Sequence, residues 1–189
     1  MVSTTWMTWK LLLLLAVGSE ALLAVLTDEY GDYDEGRLAA CAESASPVLN
    51  EVCAVGTECD ADVRVADFVE LYNPGQSDVD LECFVVAGLD GVPFVARGEL
   101  APGELRGFGE AELGFRILKA EDEISLYRIT RAPEGGPELV PLESLSVDAA
   151  QAHSFRSPDG GGWVHLGLDE AERDHPGSFG KPNPTPGER

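Results

Sequence analysis

The residues in this chain that are best suited to acid–base catalysis are three histidines, and none of them lies in a catalytic motif. His153, His165 and His175 each lack a neighbouring cysteine and a second histidine four residues away. A Ser-His-Asp triad can be assembled from distant residues, but the chain has no Gly-x-Ser-x-Gly turn to expose a nucleophilic serine. We therefore expect each histidine to have a packing or solvated role.

Carboxylates are abundant, and Glu70 is the one in the most suggestive setting. It lies between Phe68 and Tyr72, and these three side chains should share one face of a strand because side chains alternate. An acid in an apolar setting is typical of a general acid, but no motif places a second carboxylate to complete an acid–base pair. We expect Glu70 to form structural hydrogen bonds, either with the Asn50-Glu51 stretch or with Asn73. No catalytic residue is predicted.

Two weaker signals point to ligands. Asp60, Asp62 and Asp67 are candidate calcium ligands, although calcium takes about six to eight oxygens and the Asp-x-Asp-x-Asp-Gly order of a calcium loop is missing. Trp163 with Tyr72 and Phe94 could form an aromatic platform for a sugar. Because large aromatic side chains mostly pack in cores, we expect most of these rings to be buried. The prediction is no cofactor, with calcium as a minor possibility.

Cysteines 41, 53, 59 and 83 are even in number and match no zinc pattern, since there is no Cys-x-x-Cys and no nearby histidine. In an exported chain such cysteines form disulfides. Four cysteines allow three pairings. The pairing favoured here joins Cys53 to Cys59 and Cys41 to Cys83, and the other two pairings remain open.

The N-terminal region indicates export. Residues 11–17 form an unbroken apolar run followed by small residues, so residues 1–26 are predicted to be a signal peptide or a membrane anchor. Residues 27–37 contain five acids, and residues 27–45 are predicted to be an acidic disordered linker. Leu38-Ala39-Ala40-Cys41 imitates a lipoprotein acylation motif, but this linker separates it from the apolar run. Lipidation is therefore the minor interpretation.

The charge balance limits the range of partners. The chain has 34 acidic and 13 basic residues, giving a formal net charge of −21. Such a surface repels nucleic acid and anionic lipid, and no cluster of Lys and Arg is present to displace counterions. We therefore predict no nucleic-acid partner, and membrane contact only through an uncleaved N-terminal segment. The acidity fits a soluble surface, and also calcium or a basic partner.

From residue 47 onward, short apolar-rich stretches alternate with turn clusters, and no long helical periodicity appears. Short strands at this spacing predict a β-sandwich or barrel. The predicted strands are 48–52, 66–72, 79–87, 92–96, 104–109, 115–119, 123–129, 139–147 and 163–166. A turn is predicted over 100–104 and a hairpin-like loop over 157–162.

These stretches, in this order, resemble the lamin tail domain, an immunoglobulin-like sandwich found in nuclear lamins and in many exported bacterial proteins. The most specific match is Asp-Phe-Val-Glu-Leu-Tyr-Asn at residues 67–73. One departure is Cys83-Phe84, where the family usually has Gly-Trp. The match spans about residues 46–185 and leaves 186–189 as a tail. The positions that match family motifs include Asn50, Glu51, Asp67, Phe68, Glu70, Tyr72, Asn73, Pro158, Asp159, Gly160 and Trp163.

The resemblance implies a fold and an adaptor-like role, not a reaction. We expect an all-β, immunoglobulin-like β-sandwich of the lamin-tail type, preceded by an N-terminal apolar helix or signal segment. The expected function is a non-catalytic structural or binding module, secreted or in the cell envelope, that holds a protein or glycan at the cell surface. The alternatives are a calcium-stabilised surface protein and a metal-dependent hydrolase, since the family's domains can accompany nucleases.

Overall fold

The computed structural model describes residues 33–55, 59, 66–89, 93–118, 121–167 and 177–183, and this part of the chain is mainly β. Its strands form antiparallel sheets, accompanied by two short helices, as expected for an all-β sandwich. In chain order the elements are α1 (Glu35–Glu43), β1 (Val48–Cys53), β2 (Phe68–Tyr72), β3 (Val79–Asp80), a 3-10 turn (Leu81–Cys83), β4 (Phe84–Ala87), β5 (Phe94–Val95), β6 (Glu99–Leu100), β7 (Leu105–Gly109), α2 (Glu110–Leu113), β8 (Asp122–Arg131), β9 (Pro137–Val147), β10 (His153–Ser157) and β11 (Gly162–Leu166).

Two larger sheets share one apolar core. The five-stranded sheet has the order β11-β10-β1-β2-β7, the four-stranded sheet has the order β5-β4-β8-β9, and β3 pairs with β6 in a short ribbon. Burial of apolar side chains between the sheets is the main stabilising contribution. The core residues from the two sheets include Leu49, Val52, Val69, Leu71 and Phe108 from the first and Phe84, Val86, Ile124, Leu126 and Leu145 from the second.

Helix α1 corrects the prediction for residues 27–45, because their described part is not a disordered linker. The side chain of Asp34 accepts a hydrogen bond from the amide of Arg37 at 2.7 Å and so caps the first turn. Leu38 is buried in an apolar cluster on the outer face of the four-stranded sheet, with Val85 and Ile129. Capping and this packing outweigh the acidity on which the prediction of disorder rested.

The predicted signal peptide or anchor at residues 1–26 and the tail at 186–189 lie outside the described residues. Among the residues that the structure does describe, no helix is long and apolar enough to cross a membrane.

The cysteine pairing favoured from the sequence is confirmed. Cys41 of α1 is bonded to Cys83, and Cys53 at the end of β1 is bonded to Cys59. The first disulfide attaches α1 to the segment that leads into β4, and the second closes a short loop. Disulfides persist in oxidising compartments, so this bonding indicates an oxidising, extracellular environment.

Most predicted strands are present within a few residues of their expected bounds, but four details are wrong. The strand predicted over 79–87 is divided by the 3-10 turn, whose Glu82 amide bonds the side chain of Asp80. No strand forms over 115–118, where the amide of Leu118 bonds the side chain of Asp122 instead of a backbone carbonyl. Leu100, predicted to begin a turn, pairs with Val79. Strand β10 has no counterpart among the predicted strands.

Candidate functional site

A buried polar cluster lies on the outer face of the five-stranded sheet, away from the shared core. On one side of β1, Glu51 is directly opposite Glu70 of β2. On the other side β1 pairs with β10, in which His153 is opposite Cys53, two residues after Glu51. A bulge between Leu49 and Glu51 places this cluster. Residues two apart in a regular strand share a face, so the extra residue lets Leu49 point into the core while Glu51 points outward.

Glu51 bonds two side chains that sequence analysis left unconnected. Its Oε1 lies 2.6 Å from Nε2 of His153, and both side chains are buried. Its carboxylate also accepts hydrogen bonds from the backbone amide of Ser178 at 3.1 Å and from the Ser178 hydroxyl at 2.6 Å. The carboxylate therefore separates the serine from the histidine. A hydrolytic triad requires the opposite order, with the histidine bonded to the serine.

Glu70 is hydrogen-bonded to the Asn50-Glu51 stretch, one of the two partners expected for it. Its carboxyl accepts hydrogen bonds from Nδ2 of Asn50 at 2.9 Å and from the amide of Gly180 at 2.7 Å. The pKa of Glu70 is raised to about 8, mainly by burial and also by the negative charges of Glu51 and Asp159, while the hydrogen bonds from Asn50 and Gly180 act in the opposite direction.

Asn50 joins Glu70 to the hairpin loop that follows β10. Its Nδ2 also donates to Oδ1 of Asp159 at 3.1 Å, and its Oδ1 accepts from the amide of Gly160 at 2.9 Å. Gly160 has φ +70°, and a Cβ there would lie 2.8 Å from the ring of Tyr72, so glycine is required. Motif positions from three separate stretches of the chain thus meet in one network.

Residues 177–183, which we call the closing segment, cover this cluster. The amides of Ser178, Gly180 and Asn183 donate to Glu51, Glu70 and Asp159, the last bond measuring 3.0 Å. We call these three acids the carboxylate cluster. Each acid thus binds a backbone amide of the same short stretch of chain.

An aromatic contact adds to the hold on the closing segment. The Phe179 ring packs edge-on against Phe68, with centroids 5.2 Å apart and an interplanar angle of 86°. It also lies directly over Gly107 of β7, where a Cβ would approach it to 2.5 Å. Gly107 therefore leaves the notch that the ring occupies, and the closing segment is held by both polar and apolar contacts.

The calcium candidates are not brought together within the described structure. Asp60 and Asp62 lie outside the described residues, and Asp67 is only 2% exposed. The backbone oxygen of Asp67 accepts a hydrogen bond from the amide of Glu110. Among the described residues, no group of three or more His, Cys, Asp and Glu side chains could hold a metal ion.

The rings proposed as a sugar platform have separate surroundings. Trp163 lies between the guanidinium of Arg156, 4.6 Å from the ring centroid, and the ring of His165, stacked at 6.2 Å. Phe94 packs against Phe108 with centroids 5.1 Å apart. The rings of Trp163 and Phe94 thus contact other side chains of the protein, which does not favour sugar binding by these two rings.

Two further motif residues have local roles. Asn73 is buried and holds its turn through three bonds, from Nδ2 to the carbonyls of Ser77 and Leu100 and to Oδ1 from the amide of Gly75. Pro158 begins the loop between β10 and β11, and its carbonyl accepts a hydrogen bond from the amide of Gly161. His165 is exposed and bonds Ser154, and His175 lies outside the described residues.

Sequence reasoning missed that His153, Ser178 and Asn183 belong with the carboxylates. Its only available signal was the alternation of polar and apolar residues in β10, which is too short to stand out. No protein-family model, curated protein or solved structure matches the chain.

Proposed function

We propose that the chain is a non-catalytic structural or binding module, exported to the cell envelope or the medium. It uses an immunoglobulin-like sandwich of the lamin-tail type to hold a protein at the cell surface. The resemblance over residues 46–185 supports the family, and the two disulfides support export. On this proposal residues 1–26 act as the leader or anchor.

The proposal rests on the burial of the carboxylate cluster and on the hydrogen bonds that its acids accept. A hydrolase must present its acid and base to substrate and water. Here Glu51 and Glu70 are both fully buried, and their carboxyl oxygens accept hydrogen bonds from the closing segment. These two buried acids are thus engaged in holding the chain together, which favours a structural role.

The test is an activity screen on the oxidised full-length protein with peptide, glycoside and phosphodiester substrates, each with and without divalent metal ions. We expect no turnover above the buffer control. The comparison variant is Glu70→Gln, checked for folding by circular dichroism. Turnover that co-purifies with the wild type through successive columns and disappears in a folded Glu70→Gln variant would overturn the proposal in favour of a hydrolase.

Export has a separate test. The protein recovered from each cell fraction is alkylated without reduction, and its intact mass and N-terminal sequence are determined. We expect a product outside the cytoplasm with no alkylated cysteine. A cytosolic product with all cysteines alkylated would contradict the export proposal. It would not affect the proposed non-catalytic role, which the activity screen tests.

A further inference from the structure

The long outer strand β9 is paired on one side only within the described part of the chain. It pairs with β8 from Pro137 to Val147, and it is the last strand in the order of its sheet. One row of its backbone amides and carbonyls therefore faces away from β8, as in any edge strand. Proline has no N–H to donate, so Pro141 removes one donor from the strand without ending it.

The same strand carries exposed apolar side chains. Val140 is 38% exposed and Leu142 is 39% exposed, and they are two of the four large apolar residues exposed in the described structure. A register shift beside Leu142 places it at a bulge, between the residues paired with Leu126 and Tyr127. Exposed apolar residues on an edge strand are typical of surfaces that accept an added strand.

The charges around β9 indicate which class of partner it binds. Residues 132–155 contain four acids and no Lys or Arg. The two arginines of β8 that lie opposite β9 have other partners: Arg131 is paired with Glu35, and Arg128 donates to the carbonyls of Ala42 and Ser44. Glu134 and Glu138 are exposed, whereas Glu143 is paired with Arg156. The whole chain carries a net charge of −21. An acidic strand of this kind attracts a segment with basic side chains and repels an acidic one.

We infer that β9 binds an extended polypeptide segment of a partner protein in which basic and apolar residues alternate. The segment adds to the four-stranded sheet as a further strand alongside β9, on both sides of Pro141. Its apolar side chains contact Val140 and Leu142, and its basic side chains lie near Glu138. This inference rests on the proposed binding function and names the surface and the class of partner.

A second copy of this chain fits the surface less well. Two β9 strands paired edge to edge would place the same acidic stretch against itself, and like charges across a sheet are destabilising. The helix and the closing segment cover the outer faces of the two sheets. Among the described surfaces, β9 thus combines free backbone groups, apolar side chains and charge.

The probe is a fluorescent peptide that alternates Lys and Val, titrated with oxidised full-length protein in an anisotropy assay. We expect saturable binding that weakens as the salt concentration rises, because salt screens the charges. Replacing Val140→Ser and Leu142→Ser together should weaken binding by about tenfold, since both apolar contacts are lost. Glu138→Lys should weaken it further at low salt.

Controls separate strand addition from general attraction to an acidic protein. The matched variant changes the exposed leucines elsewhere, Leu89→Ser with Leu118→Ser, and should bind like the wild type. A peptide of the same composition that is interrupted by proline should bind poorly, because it cannot form a strand. A peptide that alternates Glu and Val should not bind. Melting temperatures of all variants confirm that they fold.

Several outcomes would overturn the assignment of β9. One is equal binding by the Val140 and Leu142 double variant. Another is equal binding of the proline-containing peptide. A third is a wild-type dimer in light scattering that the double variant abolishes, since a second copy would then occupy β9. Mass spectrometry of the peptide after incubation tests the proposed function separately, because cleavage would contradict the non-catalytic role whether or not β9 binds.

Discussion

The pH dependence of stability should change markedly in the variant Glu70→Gln. The pKa of Glu70 is raised by burial from 4.5 to about 8 in the folded protein. Between these values the unfolded chain releases the proton while the folded protein keeps it, so stability falls as the pH rises. At about 1.4 kcal/mol per pH unit, this separation is worth up to about 5 kcal/mol. The contribution is complete below pH 4.5 and lost above about pH 8.

Glutamine cannot ionise, so Glu70→Gln removes this part of the pH dependence. We expect the free energy of unfolding of the wild type to fall, relative to the variant, by several kcal/mol between about pH 5 and about pH 9. Urea unfolding of the oxidised proteins at a series of pH values measures the difference. Glu138→Gln, which removes an exposed carboxylate from β9, is the matched control and should follow the wild type. Parallel curves for wild type and Glu70→Gln would refute the reasoning.

Three further predictions concern stability. Asn50→Ala removes the three hydrogen bonds of a buried side chain and should lower the free energy of unfolding by about 2–4 kcal/mol in urea titrations. Replacing Cys41 and Cys83 together with serine opens a loop with a sequence separation of 42 and should cost about 4 kcal/mol, with faster amide exchange in α1. Gly107→Ala puts a methyl group 2.5 Å from a ring of the closing segment and should speed amide exchange there, whereas Gly162→Ala, with no atom within 4 Å of its Cβ, should not. Unchanged exchange in the Gly107 variant, or unchanged stability in either of the others, would contradict the contacts described.

The sequence predicts what depends on short patterns. Apolar-rich stretches locate most strands, and the even, zinc-free cysteine set predicts two disulfides. It does not determine which of the three pairings forms; the favoured one is observed. Asn50, which donates a hydrogen bond to Glu70, belongs to one of the two stretches that were expected to supply its partner.

The remaining features depend on register and on long-range contacts. The bulge before Glu51 determines on which face of the sheet that side chain lies, and no residue type in β1 indicates that a bulge is present. Helix α1 has an acidic first turn that resembles a solvated linker, and its stability comes from Leu38 and from the disulfide of Cys41. The closing segment has no periodicity. Its position is set by carboxylates such as Glu70, which precedes Gly180 by 110 residues and accepts its amide hydrogen bond.

The central claim is that the carboxylate cluster holds the closing segment, and hydrogen exchange at three amides tests it most directly. The amides of Ser178, Gly180 and Asn183 each donate to one carboxylate. In the oxidised wild-type protein we expect all three to exchange far more slowly than in an unstructured peptide, and Glu70→Gln to accelerate Gly180 most. Exchange of these amides at unstructured rates, in a protein whose strand amides remain protected, would contradict the claim.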